Sequence, residues 1–124
     1  MNFIEYLRIY ADSSGVSHFE ELKIKLESTN YAPPAPQLNT SSPESVDKIV
    51  FLELPAGWYG DWHPTPVRQW LTLMTGECEF EAGDGKRCLR KAGDVVILDD
   101  TTGKGHRTRV IGKVPLRITA VHCP

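Results

Sequence analysis

Three polar side chains near the middle of the chain have a spacing that would bring them together. His63, Thr65 and Gln69 are separated by two and then four positions, so on an extended strand their side chains would point to one side. A later histidine, His106, would reach them from a distant strand. Polar groups that converge inside a small barrel can bind a metal or an organic ligand. The spacing therefore predicts an interior site.

The two histidines could also act without a metal, because a neutral imidazole is a competent general base or hydrogen-bond donor near pH 7. Neighbouring carboxylates offer them no obvious partner. Asp61 has the strand parity of His63 and could only flank it, whereas Asp99 and Asp100 are expected to cap the turn before Thr101. The sequence thus predicts no complete acid–base set.

Residues around these positions could contact a ligand. The aromatic cluster near His63 could form an apolar wall for an organic ligand or belong to ordinary core and interface packing, above all at Trp70. Its members are Trp58, Tyr59, Trp62 and Trp70. Arg68 could clamp a carboxylate at the mouth or be a surface arginine. Cys78 and His122 have inward parity and could reach a ligand or simply fill the interior, while His18 is expected at a surface or turn. The expected substrate-binding residues are Trp58, Tyr59, Trp62, Thr65, Arg68, Cys78 and His122.

The elements that must position these groups are strands. Short apolar runs lie between 10 glycines and 9 prolines, which predicts an all-β sandwich or barrel without a long helix. Residues 3–10 favour a strand over a short helix, residues 21–27 alternate strictly, and residues 49–52 are typical of a buried strand. Further strands are predicted at residues 70–75, 78–81, 87–89, 95–98, 107–111 and 116–122.

A hairpin is predicted around Asp84-Gly85, a strong two-residue turn signal. In that register Phe80 pairs with Leu89 on an apolar inner face. Cys78 shares this inner face, whereas Cys88 lies on the outer face. The two thiols would then point to different sides, so no disulfide is expected between them.

The site residues resemble the two motifs of the cupin superfamily. The first motif is G-x5-H-x-H-x3,4-E-x6-G, and the residues at its spacings are Gly57, His63, Thr65, Gln69 and Gly76. The second motif, G-x5-P-x-G-x2-H-x3-N, begins at Gly93, has Asp99 in place of proline, and reaches His106 two residues late. The resemblance implies a double-stranded β-helix, or jelly-roll, barrel with extra N-terminal strands.

The resemblance also implies a metal site with departures from the usual pattern. Cupin sites typically use three histidines and one glutamate; here Thr65 stands at the second histidine and Gln69 at the glutamate. The implied ligands are His63, Gln69 and His106, and their neutral donors predict weak binding of Fe, Mn, Ni, Co or Zn. Two functions stay open. One is a small-molecule-binding protein with a degenerate metal site, and the other is a metal-dependent oxygenase or isomerase acting on an organic carboxylate or carbonyl.

The 124 residues predict one domain, with N-terminal strands and a proline-rich loop in residues 1–47 and the core barrel in residues 48–124. A net charge of -2 gives no sign of nucleic-acid binding, and no segment approaches a membrane span. Three cysteines without an export signal predict a cytoplasmic protein with reduced thiols. Outward-facing Trp70 and Met74 suggest burial against a strand or subunit, and the resemblance implies a homodimer.

Overall fold

The computed structural model describes residues 2–124, and strands are its regular elements. This part of the chain contains no helix, so the all-β prediction is confirmed. Among residues 2–124 there is no helix that is long and apolar enough to cross a membrane. The strands are β1 (Phe3–Ala11), β2 (Ser17–Lys25), β3 (Glu27–Thr29), β4 (Leu38–Thr40), β5 (Lys48–Leu54), β6 (Tyr59–His63), β7 (Gln69–Thr75), β8 (Glu77–Glu81), β9 (Arg87–Lys91), β10 (Val95–Asp99), β11 (His106–Ile111) and β12 (Leu116–His122).

Two sheets build the barrel. The larger sheet has the order β2-β1-β10-β7-β12-β5 and the smaller has the order β6-β11-β8-β9, while β3 and β4 form a separate pair. Their inward side chains alternate along each strand and meet in one apolar core. In β7, Gln69, Leu71 and Leu73 are buried while Thr72 and Met74 are exposed, as the period of two predicts.

The N-terminal strands are part of the larger sheet. β1 pairs in parallel with β10, with Leu7 opposite Val96, and in antiparallel fashion with β2. Leu7 and Ile9 of β1 are fully buried in the common core. Residues 1–47 therefore contribute directly to the barrel core through β1.

Strand β5 corrects the prediction of a buried strand at residues 49–52. The strand forms, but Ile49 and Phe51 are 58% and 69% exposed. The reason is the sheet order, because β5 is the terminal strand and pairs only with β12. An edge strand has a neighbour on one side only, so its side chains are poorly covered. The expected homodimer stays a prediction.

The β8–β9 hairpin has a register one residue away from the predicted one. Phe80 lies opposite Cys88 rather than Leu89. The cause is the length of the loop. Ala82 N–H donates a hydrogen bond to the backbone oxygen of Lys86, and three residues lie between them, whereas the prediction assumed a loop of two residues. A shift of one residue reverses the faces of the second strand. Cys88 therefore packs against the core, and Leu89 is exposed.

The register change alters the surroundings of two thiols. Cys78 and Cys88 both lie on the inner face, rather than on different faces as predicted. Both are free cysteines, and so is Cys123. Burial raises the pKa of the Cys78 thiol to about 12 and that of the Cys88 thiol to about 11. Both side chains are therefore protonated, unreactive core residues at neutral pH.

His18 connects two loops at one end of the barrel. Its Nε2 lies 2.7 Å from Asp12 in the β1–β2 connection, and its Nδ1 lies 3.0 Å from Asp84 in the β8–β9 turn. Ionised carboxylates only accept hydrogen bonds, so the doubly protonated imidazolium satisfies both contacts. The hydrogen bond to Asp12, followed by the one to Asp84, raises the pKa of His18.

We expect His18 to stabilise the fold at mildly acidic pH and to lose this effect as the pH rises. A raised folded-state pKa means that the native protein binds the proton more tightly than the unfolded chain does. The contribution is therefore complete below the unfolded pKa and disappears as pH rises through the folded pKa. Urea unfolding of the wild type and His18→Gln between about pH 5.5 and pH 9 measures it. A difference between the two proteins that stays constant with pH would contradict this role.

Candidate functional site

A partly open cavity of about 230 Å³ lies between the two sheets of the barrel. Its wall is mainly apolar and includes Leu71, Phe80, Leu98 and Ile118. Five polar side chains interrupt this wall. They are His63, Thr65, Gln69, His106 and Thr108. The structure thus brings together His63, Thr65 and Gln69, whose convergence the spacing predicted, with His106 from the second motif, and it adds Thr108.

Three strand ends deliver the central polar residues. His63 is the last residue of β6, Gln69 is the first of β7, and His106 is the first of β11. β6 and β11 are antiparallel neighbours in which His63 pairs with His106. The centroids of their imidazole rings are 4.8 Å apart. The pairing of two strand ends is therefore what places both rings at the cavity.

Gly105 makes this pairing geometrically possible. Its φ is +79°, a conformation that glycine adopts without steric cost. A Cβ at this position would lie 1.9 Å from the backbone oxygen of His63. Ser17 donates a hydrogen bond of 2.8 Å from its Oγ to the Gly105 carbonyl oxygen. The approach of β11 to β6 therefore requires a residue without a side chain directly before His106.

The structure reveals a carboxylate partner for His106 that was not predicted. Its Nδ1 lies 2.5 Å from Asp100 Oδ2, and the two side chains are 3% and 0% exposed. The other oxygen, Asp100 Oδ1, has no hydrogen-bond partner among residues 2–124. A histidine and a carboxylate therefore form a buried pair beside the cavity.

The prediction that Asp99 and Asp100 cap the turn before Thr101 was wrong, because both side chains bind partners elsewhere. Asp99 instead binds Arg8 at 2.8 Å and Arg68 at 2.6 Å. Asp100 lies directly after β10 and continues the parity of the core residues Val96 and Leu98. That alternation was the signal that could have identified an inward carboxylate.

His63 is held by a backbone carbonyl group of its own strand and not by a carboxylate. Its Nδ1 lies 2.5 Å from the backbone oxygen of Asp61. A carbonyl oxygen only accepts, so His63 Nδ1 carries the proton and donates it. When His63 is neutral, its Nε2 therefore has a free lone pair.

Gln69 and Thr65 are linked to each other. Gln69 Nε2 donates to Thr65 Oγ1 at 3.0 Å, and Thr65 Oγ1 donates to the carbonyl oxygen of Val67 at 2.7 Å. This chain of bonds orients the amide so that its Oε1 is left as an acceptor. The Thr65 hydroxyl is already engaged, and the free acceptor is on Gln69.

The aromatic residues predicted to contact a ligand lie at the rim of the cavity or on the surface. Trp58 lines the cavity and is 37% exposed, so it lies at the rim. Trp62 lies outside, where Lys104 Nζ and the Arg107 guanidinium carbon are 4.4 Å and 4.7 Å from its ring centroid. Tyr59 is exposed on the outer face and accepts a 3.0 Å hydrogen bond from Arg107. The aromatic cluster is therefore split between rim and surface.

Three further candidates do not line the cavity. Arg68 is engaged with Asp99, so it is not positioned as a carboxylate clamp. Cys78 is completely buried in the apolar core. His122 ends β12, where it pairs in register with Gln69. Its parity is inward as predicted, but it lies beyond the residues that line the cavity.

The metal ligands implied by the resemblance form a poor donor set. Imidazole nitrogens of His63 and His106 and the amide oxygen of Gln69 are all neutral donors. Catalytic transition-metal sites typically have three protein ligands from histidine, cysteine and carboxylates. No group of three such side chains able to hold an ion occurs in the described part of the chain. Two imidazoles and one amide oxygen fall short of such a set, so these residues do not fit a tightly held metal.

A larger cleft of about 450 Å³ lies elsewhere, on the outside of the barrel. Its lining includes Glu5, Glu21, Lys23, Arg90 and Asp94. Arg90 forms an ion pair with Glu21. This cleft is polar and contains no histidine, so the smaller interior cavity is the stronger candidate site despite its size.

Comparisons with known proteins agree with this architecture. A family model described as "Cupin domain" matches residues 50–122. A search of curated proteins gives no match. Among solved structures, the chain is similar to the Schizosaccharomyces pombe Cnp3 cupin domain, with a TM-score of 0.52 and 17% sequence identity. The match covers 99% of this chain and 88% of that one. At this identity, the similarity concerns the fold.

Proposed function

Because the chain belongs to the cupin family, we propose that its barrel binds a small organic molecule in the interior cavity. The observation that supports the proposal is the convergence of His63, Gln69 and His106 in an otherwise apolar cavity. Such a lining is typical of ligand sites, in which apolar walls provide affinity and a few polar groups fix orientation.

The size of the cavity limits the ligand. About 230 Å³ is below the range of roughly 300–1,000 Å³ that is usual for drug-sized ligands. We therefore expect a molecule of about one ring with a short substituent. Leu52 and Trp58 line the cavity and are each 37% exposed, so entry is expected between β5 and the start of β6.

The polarity of the cavity favours a neutral ligand. No lysine or arginine lines it, and Arg68 is bound to Asp99. A carboxylate in an apolar cavity without a cationic partner would lose its hydration without compensation. We therefore expect a neutral molecule whose polar atoms meet the imidazoles of His63 and His106.

Saturation-transfer NMR with phenylacetone, benzyl alcohol and benzoate tests this proposal. We expect the two neutral probes to bind with dissociation constants of about 0.1–1 mM, and benzoate to bind at least about tenfold more weakly. Leu52→Trp should block the cavity because this side chain lines its mouth. Phe51→Trp, on the opposite face of the same strand, should bind as the wild type does. Equal binding by both variants, or no binding by the wild type, would contradict an interior site.

Elemental analysis of protein purified without an affinity tag or added metal is the second test. We expect less than about one tenth of an equivalent of Fe, Mn, Ni, Co or Zn, because the donor set is neutral. About one equivalent, lost in the His63→Ala/His106→Ala double variant, would instead support the metal-dependent enzyme.

A further inference from the structure

We propose that a second copy of this chain pairs with the open edge of β5 and supplies a side chain to the mouth of the interior cavity. The free edge is the starting observation. β5 pairs with β12 on one side, and among residues 2–124 no strand is hydrogen-bonded to its other side. The contribution to the mouth rests on the proposed function, whereas the pairing of the two copies does not.

β5 lacks the protection that the other sheet edges have. The two sheets end in four edge strands, which are β2, β5, β6 and β9. β2 carries four charged residues and β9 carries three, and β6 is only five residues long with Asp61 at its centre. β5 instead has an unbroken apolar run, Ile49–Leu52, whose four side chains are all exposed. Charges and short length keep other strands away from an edge, so β5 is the edge that is open to pairing.

The exposed side chains lie on both faces of β5. Ile49 and Phe51 point to the outer face of the sheet, whereas Val50 and Leu52 lie opposite buried residues of β12 and share their inward parity. A partner packed against the outer face alone would leave the inward side chains uncovered. A strand added to the edge places neighbours beside the side chains of both faces. The exposure pattern therefore favours an added strand.

The sequence of β5 fits a second copy of itself. A two-fold axis perpendicular to the sheet pairs two antiparallel copies of one strand and keeps each side chain on its own face. When Phe51 lies on this axis, it faces the partner's Phe51, and all seven residues of β5 are paired. Val50 then lies opposite the partner's Leu52. Aromatic and branched apolar pairs of this kind stabilise antiparallel strands.

The charges at the ends of β5 agree with this register. Lys48 begins the strand and Glu53 lies near its end, so antiparallel pairing brings the basic end of one copy beside the acidic end of the other. Moving the axis to Val50 would place Asp47 opposite the partner's Glu53, which is a pair of like charges. Moving it to Leu52 would bring Pro55, which has no N–H group, into the pairing. The register centred on Phe51 avoids both conflicts.

The exposed apolar area approaches what a dimer needs. The side chains of Ile49–Leu52 together expose roughly 400 Å², if a whole large apolar side chain counts for about 200 Å². Val46 before the strand and Trp58 after it are also exposed. A standard interface buries about 800 Å² on each partner. The edge and its neighbours therefore provide most of the apolar surface of such an interface.

The partner strand also narrows the cavity mouth. Leu52 lines the cavity and is exposed where the mouth opens between β5 and β6. In the register centred on Phe51, the partner's Val50 lies beside Leu52 on the same inner face. A ligand that reaches the mouth then contacts both copies. Ligand affinity and dimer formation should therefore depend on each other.

Light scattering during size-exclusion chromatography tests the pairing. We expect the wild type to be a dimer. Because residue 51 faces its own copy, Phe51→Lys and Phe51→Glu should each place like charges together and be monomers. A 1:1 mixture of these two variants should recover dimers, since each lysine then faces a glutamate, and this recovery also shows that both variants are folded.

Two variants serve as controls for the pairing. Phe51→Trp keeps an aromatic pair on the axis, and Leu89→Lys adds a charge to an exposed apolar residue of the edge strand β9. Both should remain dimers. A dimeric Phe51→Lys, or a mixture with Phe51→Glu that stays monomeric, would overturn the pairing through β5. A monomeric wild type would also overturn it and would leave the edge to an extended segment of another protein.

Titration with phenylacetone followed by NMR tests the shared mouth. Phe51 does not line the cavity, yet the monomeric Phe51→Lys variant should bind phenylacetone about tenfold more weakly than the wild type. Mixing it with Phe51→Glu should restore the affinity. Leu89→Lys should bind as the wild type does.

The outcomes separate this inference from the proposed function. A monomeric Phe51→Lys variant that binds phenylacetone as tightly as the wild type would overturn the shared mouth and leave the interior binding site intact. A dimeric wild type that binds none of the probes would overturn the proposed function together with the shared mouth, but it would support the pairing of the two β5 strands.

Discussion

Gly105→Ala is expected to destabilise the protein by about 3 kcal/mol or more, which is a large effect for one methyl group. The new Cβ would lie 1.9 Å from the carbonyl oxygen of His63, a backbone atom that cannot rotate away. The φ of +79° adds strain for any residue with a side chain. Relief of the clash requires β11 to separate from β6, so the pairing of His63 with His106 should be lost.

Gly85→Ala is the matched control for this substitution. Gly85 also has a positive φ, of +89°, but a Cβ there would meet nothing within 4 Å. We expect a loss of only about 1 kcal/mol from backbone strain. Urea unfolding of both variants gives the comparison. Similar losses at the two positions would show that the contact with His63 does not govern the cost.

His106→Leu is expected to destabilise the protein by about 3–5 kcal/mol. The substitution removes the partner of Asp100 and leaves a completely buried carboxyl group without a hydrogen bond to its side chain. Breaking a buried pair on one side typically has this cost, because the remaining group is desolvated and uncompensated. Thermal or urea unfolding measures the loss directly.

A double-mutant cycle distinguishes this cause from the loss of packing. Asp100→Ala removes the buried carboxyl group, so the His106→Leu/Asp100→Ala variant should regain at least about half of the stability lost in His106→Leu. Strictly additive losses in the double variant would mean that the two side chains are not energetically coupled. The cycle therefore tests the buried pair independently of any ligand.

The convergence of His63, Thr65 and Gln69 could be predicted because it depends on local geometry. Side chains alternate along extended backbone, so spacings of two and four positions indicate a shared side before any partner strand is known. The same rule correctly separated buried Leu71 from exposed Met74. The family motifs added His106, which periodicity alone could not connect to the other three residues.

Long-range pairing explains the incorrect predictions. The exposure of Phe51 depends on the position of β5 in the sheet order, and its apolar sequence is equally compatible with a central strand. The hairpin register depends on whether two or three residues form the loop between β8 and β9. Each choice changes hydrogen bonds between separate segments, which a pattern within one segment does not contain.

The sequence by itself determined that this is a β-protein of the cupin type with inward histidines, because strand periodicity and motif spacing are properties of neighbouring residues. Only the tertiary structure decided the partners of those histidines. Asp100 reaches His106 across the intervening loop, in which Gly103 packs against Gly15 and Gly105 against His63. These close backbone approaches between distant segments set the path of the loop, and with it the position of the carboxylate beside His106.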